Sequence, residues 1–107
     1  MKIKQYDIVL VNLDPTLGHE MKKTRPCVII SPDEMNTHLQ TVIVAPITSR
    51  SKDYPTRVFY EEKEISGWIV LDQIRTIDRK RVVRQLGCLG DKDVFVVKAV
   101  VREMLVD

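Results

Sequence analysis

The chain has no long hydrophobic run. The longest stretch, Val42 to Ile47, is six residues and includes Pro46, against the roughly 20 that a helix needs to cross a bilayer. Met1-Lys2-Ile3-Lys4 carries none of the apolar core of a secretion signal, so a cytoplasmic protein with no membrane partner is expected. There are only two cysteines, Cys27 and Cys88. They lack the paired spacing of a zinc site and are expected to be reduced core thiols. Glycine is scarce and scattered, at 18, 67, 87 and 90, which excludes a phosphate-cradling loop. The histidines are His19 and His38; His19-Glu20 is not followed by a second histidine four residues on, so neither metal nor other cofactor is expected. No serine sits in a nucleophile elbow. Charge of one sign is also missing. Residues 1–60 hold eight Lys/Arg and six Asp/Glu, residues 61–107 nine of each, for a net charge of +2. That balance excludes a histone-like basic coat.

What remains is 107 residues, 44% apolar and 30% charged, the profile of one globular domain spanning 1–107. Short β-branched segments recur at 6–13, 27–31, 41–47, 56–60, 68–71 and 82–89, and they read as strands. Arg25-Pro26 opens the second, with proline at its start. Pro46 argues that the third strand ends in an edge or a bulge. Ser31-Pro32-Asp33-Glu34 carries the pattern of a short helical turn. From Asp91, a plausible N-cap, the apolar spacing becomes helical, with Val94, Val97, Val101, Met104 and Leu105 on one side. The class is α+β and mainly β: a small, bent antiparallel barrel of five to six strands with a short helix and a C-terminal helix.

Polar residues gather where strands end. The polar stretch 16–24 is longer than a hairpin needs, and loops of that length tend to be functional. It contains His19, whose ordinary pKa near 6.5 suits proton transfer, although a lone loop histidine is more often simply solvated. His38 has no charged neighbour and reads as surface. Lys22, Lys23 and Arg25 form a small basic cluster opposed by Glu20 alone. Thr24-Arg25-Pro26 and Pro46-Ile47-Thr48-Ser49 place polar side chains at strand ends, where a rigid backbone can hold them. On spacing alone, an ordinary ion pair and a turn cap are the better explanation of them. Leu71-Asp72-Gln73-Ile74-Arg75-Thr76-Ile77-Asp78 is the densest polar signature. Asp72 and Gln73 suit base edges and Arg75 suits phosphate.

These segments together resemble the MazF/PemK/Kid family of toxins from type II toxin–antitoxin pairs. The resemblance runs through Asp7-Ile8-Val9-Leu10-Val11, Leu13-Asp14-Pro15-Thr16, Gly18-His19-Glu20, Thr24-Arg25-Pro26, Pro46-Ile47-Thr48-Ser49 and Asp72-Gln73-Ile74-Arg75-Thr76-Ile77-Asp78. Each motif alone is weak, but six in order are specific. The family implies an SH3-like, CcdB/MazF-type barrel, a homodimer, sequence-specific cleavage of single-stranded RNA without metal, and neutralisation by a cognate antitoxin bearing a flexible acidic segment. Arg25 matches an arginine acting at the phosphate and Thr48 the threonine beside it. His19 and Asp72 match groups used in the Kid branch, and Glu20 is a second candidate base. That branch also has an arginine two residues before the aspartate, where this chain has Val70, so most weight falls on Arg25 and Thr48. Lys22, Lys23, Ser49, Gln73 and Arg75 are the expected RNA contacts. Two other functions fit such a barrel: a non-catalytic CcdB-like toxin that grips a protein such as gyrase, and an RNA-binding module that never cuts.

Overall fold

The computed structural model describes residues 1–13 and 24–107. Among these residues, seven strands and two α-helices follow in the order β1 (Asp7–Asn12), β2 (Thr24–Ile29), α1 (Asp33–His38), β3 (Thr41–Thr48), β4 (Arg57–Glu62), β5 (Ile65–Val70), β6 (Arg75–Asp78), β7 (Val82–Cys88) and α2 (Asp91–Leu105). The sheet is antiparallel, in the order β4-β5-β3-β2-β1-β7, with β6 paired to β3 outside that path. This is the mainly β, bent architecture expected, with a seventh strand added. β6 is only four residues long and mostly polar, so nothing in its pattern distinguished it from a turn.

Side-chain alternation divides the interior in two. Ile8, Val28, Ala45, Ile47, Ile69 and Leu71 share one cluster with Val97 of α2. Val9, Val11, Cys27, Ile29, Val42 and Val44 share a second on the opposite face of β1–β2–β3. Burial on both faces explains why these strands read as near-continuous apolar runs. Helix α2 packs Val94, Val97, Val100, Val101 and Met104 inward. Leu105, placed on that face by spacing, is exposed, and Val100 serves instead. Gly90 is the N-cap and Asp91 the first helical residue. α1 is held by Asn36, which is fully buried: its amide donates to the Ser31 carbonyl at 2.9 Å and its oxygen accepts from the Ser31 hydroxyl at 2.5 Å. His38 is exposed in the last turn of α1, as expected.

The prolines are not where the sequence pattern put them. Pro26 is the third residue of β2 rather than its first, and Pro46 lies within β3, an interior strand. Hydrogen-bond direction explains both. The Ile43 carbonyl accepts from Ile30, just past the end of β2, so by alternation Pro46 turns its missing N–H to the other side of β3. There it falls between Val44, the last residue paired with β6, and Ile47, the first paired with β5. Among the described residues, no strand pairs with Pro46 on that side. Among the described residues no helix is long and apolar enough to cross a membrane.

Candidate functional site

The site begins where a ladder breaks. Ile29 of β2 presents its carbonyl to β1, accepting from Tyr6 at 2.7 Å, while Ile30 donates to β3. Even-numbered residues of β2 therefore face β3, and Pro26 has no N–H to give it. Pairing of β2 with β3 stops at Cys27 opposite Pro46. Beyond that point β3 crosses to β5, pairing Ile47 with Ile69 and Thr48 with Trp68. Continued, the β2–β3 register would have set Arg25 against Thr48. Instead the strands part, and a cleft of about 290 Å³ opens between Thr24-Arg25-Pro26 and Ile47-Thr48-Ser49.

The two residues given most weight, Arg25 and Thr48, thus line one cleft, joined by Ser49 and by Glu64 and Ser66 from the β4–β5 hairpin. Arg25 is exposed, and its position at a rigid strand end leaves the guanidinium fork available to an oxyanion. The Thr48 hydroxyl has a defined direction. It accepts from the Arg50 amide at 3.2 Å and donates to the Arg50 carbonyl at 3.4 Å, a turn closed by its own side chain. Gly67 makes this approach possible: a Cβ there would lie 2.5 Å from the Thr48 carbonyl oxygen.

Arg25 also borders a second hollow, of about 180 Å³, with Cys27, Pro46, Gln73 and Arg75. Cys27 lies fully buried. Burial pushes its thiol up to about 12, while the nearby Arg25 and Arg75 pull the other way. A thiol this far from ionisation is not a nucleophile at neutral pH. Its influence by both arginines places two cations on one small hollow. Gln73 and Arg75 are therefore brought beside Arg25 as expected, and Ser49 joins the neighbouring cleft. Cys88, expected in the core, is exposed at the end of β7.

Asp72 has a different setting. It sits in a 3-10 turn, Leu71–Gln73, after β5. Its Oδ1 accepts from Arg57 Nε at 3.1 Å and from the Thr56 hydroxyl at 3.0 Å, and its Oδ2 accepts from another Arg57 nitrogen at 3.2 Å. These hydrogen bonds, the Arg57 ones foremost, hold the Asp72 carboxyl below the usual carboxylate range despite some desolvation. Arg57 was not foreseen as a functional residue. It stands opposite Val70 in the β4–β5 ladder, so an arginine lies beside Asp72 although position 70 carries none. The signal was the hairpin itself. A two-residue turn at Lys63-Glu64 fixes Glu62 opposite Ile65, and counting back along both strands reaches Arg57 and Val70.

His19, Glu20, Lys22 and Lys23 lie outside the described residues. Among the described residues, no three His, Cys, Asp or Glu side chains are grouped to hold a metal ion.

Comparison with known proteins agrees with this architecture. A MazF from Deinococcus radiodurans is 28% identical, with a TM-score of 0.81, over 98% of this chain and 97% of that one. A MazE–MazF complex from the same organism matches at 28% identity and a TM-score of 0.83, covering 98% and 96%. A mycobacterial endoribonuclease solved with its cognate antitoxin shares the fold at a TM-score of 0.83 and 17% identity, over 96% and 94%. Residues 4–105 match the PemK-like, MazF-like toxins of type II toxin–antitoxin systems, and the chain belongs to that family.

Proposed function

We propose that the protein is a sequence-specific endoribonuclease toxin that cuts single-stranded RNA without a metal ion. The observation that carries this reading is the shared cleft of Arg25 and Thr48 at the break in the β2–β3 ladder. Cleavage of RNA by its own 2′-hydroxyl needs a proton acceptor for that hydroxyl, stabilisation of the charged pentacoordinate phosphorus, and a proton for the departing 5′-oxygen. Arg25 supplies a fixed cation with two parallel donors for the phosphate oxygens. Thr48 supplies a hydroxyl beside it. His19 and Glu20 are the proton acceptors of this proposal, because Asp72 is engaged by Arg57 and its lowered pKa makes it a weak base. The hollow holding Gln73 and Arg75 suits one splayed base, so bases on either side of the cut phosphate would straddle Arg25.

The chain is proposed to act in the cytoplasm as a single domain that pairs with a second copy, each contributing half of an RNA groove. The Deinococcus relative is solved with MazE, which supports a cognate antitoxin for this chain as well. A flexible acidic segment of that antitoxin would meet Lys22, Lys23 and Arg25 and so compete with RNA.

Purified protein should cleave a mixed-sequence single-stranded RNA in excess EDTA, leaving a 2′,3′-cyclic phosphate or its hydrolysis product. Arg25→Ala should lower the rate by about 100- to 1,000-fold, the loss typical of removing one oxyanion contact, with an unchanged circular dichroism spectrum. Intact RNA across varied sequences, with well-folded protein, would favour the CcdB-like or plain binding alternatives.

A further inference from the structure

The segment 49–56 joins β3 to β4 and begins directly after Thr48. It is polar, and its shape is held from outside by Arg57, the first residue of β4. Arg57 Nε and one terminal nitrogen grip both oxygens of Asp72, at 3.1 and 3.2 Å. Its other terminal nitrogen donates to the Ser51 hydroxyl at 2.8 Å. The Tyr54 ring lies 4.8 Å from the guanidinium carbon, and the Arg57 amide donates to the Tyr54 carbonyl at 2.9 Å. Thr56 adds a third hydrogen bond to Asp72. One side chain therefore ties the middle and end of the loop to the turn that contains Gln73.

The same network reaches the cleft. Ser51 follows Arg50, whose amide and carbonyl fix the direction of the Thr48 hydroxyl. All three guanidinium nitrogens of Arg57 are occupied, so it is poorly placed to bind phosphate itself. Both carboxylate oxygens of Asp72 are occupied as well, and accepting a proton would break the two-pronged contact.

We propose that Arg57 is a positioning residue for RNA cleavage: anchored by Asp72, it fixes the turn at 49–51 and thereby holds the Thr48 side chain in place at the edge of the cleft, so that Asp72 serves the reaction through Arg57 and not by taking a proton. The proposal rests on the ribonuclease reading above. It needs arginine in particular, because a lysine would reach Asp72 or Ser51 but not both.

The test is a set of cleavage kinetics on a short RNA in EDTA. Arg57→Ala is expected to lower kcat about 10- to 100-fold, the scale of a misplaced catalytic group, with KM little changed. Asp72→Asn should give a similar loss, and the double variant no more than either single one, since both act through one contact. Adding Arg57→Ala to Thr48→Val should cost nothing further. The pH–rate profile of Asp72→Asn should keep its acidic limb. Ser51→Ala removes only the loop end of the network and leaves the Arg57–Asp72 pair intact, so it guards against a folding defect; a smaller fall in kcat is expected. Amide hydrogen exchange should also rise across residues 49–56 in Arg57→Ala and Ser51→Ala, whatever their activity.

Disappearance of the acidic limb in Asp72→Asn would make that residue the base and overturn the proposal. Additive losses, a further drop in the Thr48→Val background, or unchanged cleavage by Arg57→Ala and Ser51→Ala would also overturn it. If the unaltered protein cuts no RNA, the ribonuclease reading fails first and the proposal falls with it.

Discussion

Single side chains here are tuned by what lies against them rather than by their type. The two cysteines show it. Cys27 is sealed between β1 and β3 with its thiol pushed up to about 12, while Cys88 stands exposed at the end of β7. A thiol reagent at about pH 8 should therefore modify one cysteine in the native protein and two after unfolding; mass spectrometry of the labelled chain checks this. Asp72 is tuned in the other direction. Its carboxyl is held below the ordinary value of 3.8, chiefly by Arg57. A depressed carboxylate contributes stability that is fully present above its unfolded pKa and is lost as pH falls through the folded one. The difference in unfolding free energy between wild type and Asp72→Asn should thus be flat between about pH 5 and 8 and shrink below about pH 4. Urea unfolding of both proteins across that range would show it, and a difference that changes near neutral pH would point to another titrating group.

At the level of elements, the site is made by two strands separating, and the residues that allow it are a proline and a glycine. Pro26 ends the β2–β3 ladder, and Gly67 lets β5 come close enough to take over Thr48. Gly67→Ala would drive a methyl group against the Thr48 carbonyl and Ile47, backbone and core that cannot swing aside. A loss of about 1–3 kcal/mol is expected, typical of overpacking, together with slower RNA cleavage; denaturant unfolding and a cleavage assay measure the two. This is also where sequence and structure diverged. Six of the seven strands described were legible because they carry β-branched runs, β1 and β7 over their whole length and β2, β3, β4 and β5 in part, and α2 because its period shifts. Arg25, Thr48, Gln73 and Arg75 were legible as residues from their motifs. What could not be read was their adjacency, because it depends on which side of each strand lacks a donor. Proline ordinarily marks a strand end, but at Pro46 the orientation of one N–H makes it harmless in mid-strand. Arg57 escaped because its partner is 15 residues away and meets it only through the β4–β5 register.

Across the whole molecule, the proposed function requires a chain of net charge +2 to hold a polyanion. Among the described residues the cations lining the two hollows are Arg25 and Arg75, and Glu64 borders the cleft; Lys22 and Lys23 precede Arg25 in the sequence. On the proposed function, such a distribution suits a short piece of RNA better than a long one. Each phosphate neutralised on a single strand contributes about −0.7 to the slope of log affinity against log salt. Contacts to two to four phosphates therefore predict a slope between about −1.4 and −2.8. Fluorescence anisotropy with an RNA carrying a 2′-deoxy substitution at the cut site measures this without cleavage. Arg75→Ala should weaken binding and flatten the slope by about one phosphate, whereas Thr48→Val should slow cleavage and leave the slope alone, since a hydroxyl releases no counterion. A slope steeper than about −5 would mean that RNA follows a basic track well beyond these two hollows, and the short footprint drawn from the charge distribution would have to be abandoned.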